Sequence, residues 1–137
     1  MKYLSDYMQA KQTELFAKTG TFFAFSQDQI SEKAKPGTKY YHAGHGMYCP
    51  SSYIDELLAG LERIHGEAIK TDFEENGAKA IIEREYFNHE TQITLDNSRL
   101  FAVLQPYMDM YPEQFDKITI HATIKECFDL AVTNDWF

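Results

Sequence analysis

Residues 50–95, PSSYIDELLAGLERIHGEAIKTDFEENGAKAIIEREYFNHETQITL, carry the longest helical pattern in this chain of 137 residues, together with nearly half of its acidic residues. Ile54, Leu57, Leu58, Leu61, Ile64 and Ala68 recur at steps of three and four, which places them on one side of a helix. Pro50, Ser51 and Ser52 mark its start, and Asp55 and Glu56 sit where the positive end of the helix dipole favours acids. Gly66 is a natural stop, because glycine closes a helix in the left-handed conformation without strain. A second pattern follows with Ile69, Phe73, Ala80, Ile81, Tyr86 and Phe87, interrupted at Asn76 and Gly77. Those two residues either end one helix and begin another or make a weak point in a single long one. Lys70 with Glu74, Glu75 with Lys79 and Lys79 with Glu83 are four apart and support helix on the exposed side. Each such pair contributes only about 0.2–0.5 kcal/mol, so burial of the apolar stripe decides the fold.

The rest of the chain adds shorter elements. Residues 2–18 predict a first helix ending at Gly20. Thr21 to Phe25 is short and aromatic, which favours a strand. Ser26 with Gln29 reads as a capping box for a helix over Gln27 to Lys35, ended by Pro36 and Gly37. Residues 39–49, KYYHAGHGMYC, are extended with a bend at Gly44 and Gly46, and pair with the strand at Phe22 to Phe25. Thr91 to Leu95 predicts a further short strand. Asp96 or Asn97 caps a helix with Leu100, Val103, Leu104, Tyr107 and Met108 on one side, which Pro106 should end or kink. A final helix begins near Pro112 and runs to about Val132. Ile118, Ile120, Ala122 and Ile124 nevertheless alternate as a strand would, and helix is preferred over strand for 117–125. The expected class is therefore α+β, a mainly helical single domain over 1–137 with a small antiparallel sheet of two or three short strands.

Composition narrows the function classes. Aromatic residues make up 15% of the chain, ample apolar surface for a core. No apolar run approaches the roughly 18 residues a membrane helix needs, and MKYLSDYMQAKQ lacks the apolar core of a signal peptide. The expectation is a cytoplasmic protein with no membrane partner, its two cysteines, Cys49 and Cys127, held as thiols. The net charge of −8 is divided unevenly: +2 over residues 1–50 and −10 over 51–137. An acidic second half disfavours direct nucleic-acid binding and suits a basic partner.

FAFS at 23–26, MYCP at 47–50 and ENGAKAIIEREYFNHE at 75–90 together resemble small uncharacterised proteins encoded by bacteriophages and related mobile elements, over most of residues 20–95. The resemblance implies a prokaryotic cytoplasm and dealings with a host. It implies no activity and no site residues.

Three constellations could carry chemistry. His42, His45 and Cys49 lie within eight residues on a glycine-bearing loop, the donor types a zinc ion takes, although the spacing fits no standard zinc module. Glu85 and His89 are four apart on one helix face, with Arg84 and Glu90 nearby, so a carboxylate can orient an imidazole there for a hydrolase. Tyr40, Tyr41, Tyr48 and Tyr53 cluster about the Gly44 to Gly46 bend as recognition residues, beside an acidic face of Asp72, Glu74, Glu75, Glu83, Glu85 and Glu90 that could imitate nucleic acid. No P-loop, dinucleotide fingerprint, nucleophile elbow or HExxH is present. The preferred reading is a cofactor-free interaction protein that binds a host protein through its tyrosine-rich or acidic surface, with a homodimer as a further form. A small hydrolase or zinc-dependent enzyme is the alternative.

Overall fold

The computed structural model describes residues 2–137. Helix α1 spans Leu4–Thr19, strand β1 Phe22–Phe23 and helix α2 Gln27–Lys33. Strands β2, Tyr40–His42, and β3, Met47–Pro50, follow, and a 3-10 turn over Ser51–Tyr53 leads into the long helix α3, Ile54–Asn88. Helices α4, Thr91–Thr94, α5, Ser98–Met110, and α6, Lys117–Asn134, complete the described chain. The class is α+β, mainly helical, with one small antiparallel sheet in the order β1-β3-β2. The chain divides into two compact units, Lys2–Ala68 and Ile69–Phe137.

In the unit Lys2–Ala68, α1 closes on Gly20, which is left-handed (φ 74°) and whose N–H donates to the Phe16 carbonyl. Ser26 caps α2 by accepting from the Gln29 N–H, and the Gln29 amide oxygen accepts in turn from Phe25 N–H, one residue before the cap. The sheet register sets Phe22 opposite Tyr48 and His42 opposite Tyr48 from the other side, with Tyr41 opposite Cys49. Gly44, His45 and Gly46 all take positive φ and turn the chain between β2 and β3. The core gathers Leu15, Cys49, Leu57 and Ile64, with Phe16, Ile54 and Leu61 packed against them. Each fully buried Leu or Ile contributes roughly 1.5–3 kcal/mol, so this stripe outweighs the exposed ion pairs. Leu58, expected on the same face, is half-exposed.

The unit Ile69–Phe137 buries Ile81, Ile82, Tyr86, Leu100, Leu104, Tyr107, Phe115 and Ile120. Its α3 segment is broken at Gly77, where φ 78° and ψ 164° leave the helical region. The break is a fold-back. Arg84 bonds to Asp72, twelve residues earlier, at 2.9 Å, whereas twelve residues of straight helix rise about 18 Å, beyond the reach of the two side chains.

Several expectations are corrected. Gly66 does not stop α3, because Ile64, Ala68 and Ile69 are buried on either side of it and carry the helix through. Thr91 to Leu95 is not a strand but the helical turn α4, held between left-handed Glu90 and Leu95 with Thr91 and Gln92 buried. Pro106 lies inside α5, which continues to Met110, since complete burial of Leu104 and Tyr107 offsets the missing hydrogen bond. The last helix starts at Lys117 rather than near Pro112, capped by Asp116, whose carboxylate accepts from Thr119 N–H at 2.7 Å. Within it the 117–125 ambiguity resolves to helix. Ile120, Thr123, Cys127 and Ala131 are buried at steps of three and four, and Ile118 is 82% exposed.

Candidate functional site

Of the tyrosine cluster and the histidines, Tyr40, Tyr48 and His42 meet on one face of the sheet of the unit Lys2–Ala68. Cross-strand pairing puts Phe22, Tyr48 and His42 in one row, and their rings stack: Phe22 to Tyr48 at 5.6 Å and His42 to Tyr48 at 4.5 Å between centroids. Tyr40 meets Phe22 edge-on at 5.2 Å, and its hydroxyl accepts from Lys35 N–H. Phe25 lies over the hairpin turn. A Cβ at Gly46 would fall 2.5 Å from its ring, so only glycine admits this contact, and the ring itself remains 77% exposed. Between Phe25, Ile30, His42 and Tyr48 lies a shallow cavity of about 350 Å³. Tyr41 and Tyr53 are exposed nearby in sequence, on β2 and in the turn before α3.

The same register separates the candidate zinc ligands. His42 pairs with Tyr48 and Tyr41 with Cys49, so His42 and Cys49 stand on opposite faces of the sheet. Cys49 is fully buried, while His45 is exposed in the turn. Among the described residues no group of three or more His, Cys, Asp or Glu is placed to hold a metal ion.

A second cavity of about 460 Å³ lies between α1 and the early turns of α3, over Leu15, Gly60 and Ile64. Lys11 pairs with Glu67 and Lys18 with Glu56 across it, at 3.1 and 3.0 Å. Its lining charges balance, which favours neither anionic nor cationic ligands.

In the unit Ile69–Phe137, the acidic residues separate by burial. Glu74, Glu75 and Glu90 are exposed and Glu83 is half-buried. Asp72 and Glu85 are buried and paired inward, so they add nothing to an acidic surface. Asp72, 0% exposed, accepts from both terminal nitrogens of Arg84 at 2.9 Å, from Asn76 at 2.7 Å and from the Tyr107 hydroxyl. Burial pushes its carboxyl upward, but the bonds from Arg84, Tyr107 and Asn76 outweigh this and hold it below the ordinary range. Burial and the neighbouring carboxylate push the Tyr107 phenol up, so it stays a donor. Glu85 accepts from Arg84 Nε at 2.8 Å, and its other oxygen lies 3.3 Å from His89 Nε2. The Glu85 and His89 pair therefore exists, but its carboxylate is committed to a buried guanidinium. Neither cavity described above borders it.

Sequence reasoning missed Asn76 and Tyr107 as members of this network and took Asp72 for a surface acid. The signal was the register: Asp72 continues the apolar steps Ile64 and Ala68 at intervals of four, and Arg84 and Glu85 follow Ile81 by three and four. A charge in an apolar register position needs a buried partner.

Residues 4–132 match a protein family described as a family of unknown function, DUF7659. The chain belongs to that family. No curated protein and no solved structure matches it. Membership assigns no activity. Among the described residues no helix is long and apolar enough to cross a membrane.

Proposed function

We propose that the protein is a binding module that contacts a partner protein through the aromatic face of its sheet. What supports this reading above all is Phe25, a large apolar ring left 77% exposed on Gly46 beside the stacked His42 and Tyr48. Exposed, rigid aromatic rings flanking a cavity are what interfaces use as anchors, since they bury much area at small entropy cost. Tyr40, on the same face as His42, extends the set, whereas Tyr41 pairs with Cys49 on the opposite face. On the resemblance described above, the setting is a prokaryotic cytoplasm and the partner a host protein. The acidic alternative is weakened by the burial of Asp72 and Glu85, leaving Glu74, Glu75, Glu83 and Glu90 to carry it.

The test is affinity capture from a bacterial lysate with the wild-type chain and with the Phe25→Ala, His42→Ala double variant, whose exposed positions leave the core untouched. A partner captured by the wild type and lost at least about tenfold by the folded variant is expected for anchor residues. Equal capture by both chains would refute the aromatic surface. Capture that instead collapses with added salt would transfer the contact to the remaining glutamates.

A further inference from the structure

Gly77 divides the buried network of the unit Ile69–Phe137. Asp72 and Asn76 precede it; Arg84, Glu85, His89 and Tyr107 follow it. Its φ 78° and ψ 164° fall in a region that essentially only glycine occupies. On both sides the sequence is helical, and the register of Glu75 and Lys79 would continue across residue 77 in a straight helix. In the folded-back form Lys79 pairs with Glu126 instead, at 3.0 Å. One residue's backbone angles therefore separate a folded-back segment from a straight one.

The straight form cannot satisfy itself. Asp72 and Arg84 of one chain would stand about 18 Å apart, so that Asp72 loses its buried guanidinium and Arg84 keeps only Glu85. Two straight chains remove the difficulty reciprocally, the Asp72 of each meeting the Arg84 and Tyr107 of the other. We propose that Gly77 is the hinge of an exchanged dimer, in which the segment following it packs on the residues Ile69 to Asn76 of a second copy of this chain. The closed monomer wins at low concentration because its two halves are tethered, and exchange grows with concentration.

Gly77→Ala tests the hinge. Alanine favours the straight helix and opposes the positive φ of the fold-back, which shifts the balance by at least about tenfold per chain. Light scattering on full-length Gly77→Ala, refolded at rising concentration, is expected to show a helical dimer replacing the monomer. A folded monomer at every concentration would overturn the proposal. If that variant does not fold, co-refolding Asp72→Ala with Arg84→Ala decides. Arg84→Ala alone strips Asp72 of its guanidinium and Asp72→Ala leaves Arg84 to Glu85, whereas a mixed exchanged dimer restores one complete Asp72 and Arg84 pair. Native mass spectrometry is expected to find the one-to-one mixed dimer, and its absence would overturn the hinge.

Discussion

Both units carry exposed ion pairs, but among the described residues the unit Ile69–Phe137 also buries those that Arg84 makes with Asp72 and Glu85. In Lys2–Ala68, the Lys11–Glu67 and Lys18–Glu56 pairs lie over an apolar seam with every side chain at least 42% exposed. In Ile69–Phe137, Asp72 and Arg84 are paired at 0% and 4% side-chain exposure. The bond lengths, 3.1 and 3.0 Å against 2.9 Å, are nearly the same. Distance thus says little about consequence. An exposed pair exchanges one well-solvated arrangement for another, whereas a buried one, once desolvated, cannot lose a member without stranding the other.

The largest expected contrast comes from Arg84→Met, which leaves Asp72 buried without its guanidinium. A loss of about 3–5 kcal/mol is expected, read by urea unfolding, with hydrogen exchange rising most across 69–137. A loss under about 1 kcal/mol would mean that Asn76 and Tyr107 alone support the carboxylate. An acid titration should have a smaller effect of the same origin. Because Asp72 is held below its ordinary value of 3.8, the folded state binds fewer protons than the unfolded state. Its stabilisation is complete above that pH and is lost as pH falls through the lower, folded value. Stability of Asp72→Asn should therefore fall less steeply with acid than that of the wild type; parallel slopes would remove Asp72 from the acid response. The smallest effect is expected from Lys11→Met, within about 0.5 kcal/mol. A loss above about 1 kcal/mol there would erase the contrast between the units.

This contrast also explains what could be read from the chain in advance. Gly20, the Ser26 cap and the pairing of Phe22 with the 47–50 strand were legible because each depends on neighbours in sequence or on a short alternating pattern. TQITL misled because its strand preference is overridden by two left-handed residues at its ends and by burial that only the tertiary fold supplies. Pro106 misled for the same reason. Of the candidate residues, Tyr48 and His42 came together through sheet register, which the bend at Gly44 and Gly46 already implied. Asp72 and Tyr107 are 35 residues apart and meet only because the chain reverses at Gly77. Helical periodicity marks a face but not where a helix turns back.

Each unit also holds one cysteine, Cys49 in the first and Cys127 in the second, both free and buried. Burial, reinforced by Glu83 and Glu126, pushes the Cys127 thiol up to about 12, so in the closed protein it stays protonated and poorly reactive. Modification by a thiol reagent thus has to wait for local opening, and the two sites lie far enough apart in sequence for peptide mapping to separate them. The unaltered chain carries its own pair of clocks, one timing the opening of the sheet and the other that of the last helix.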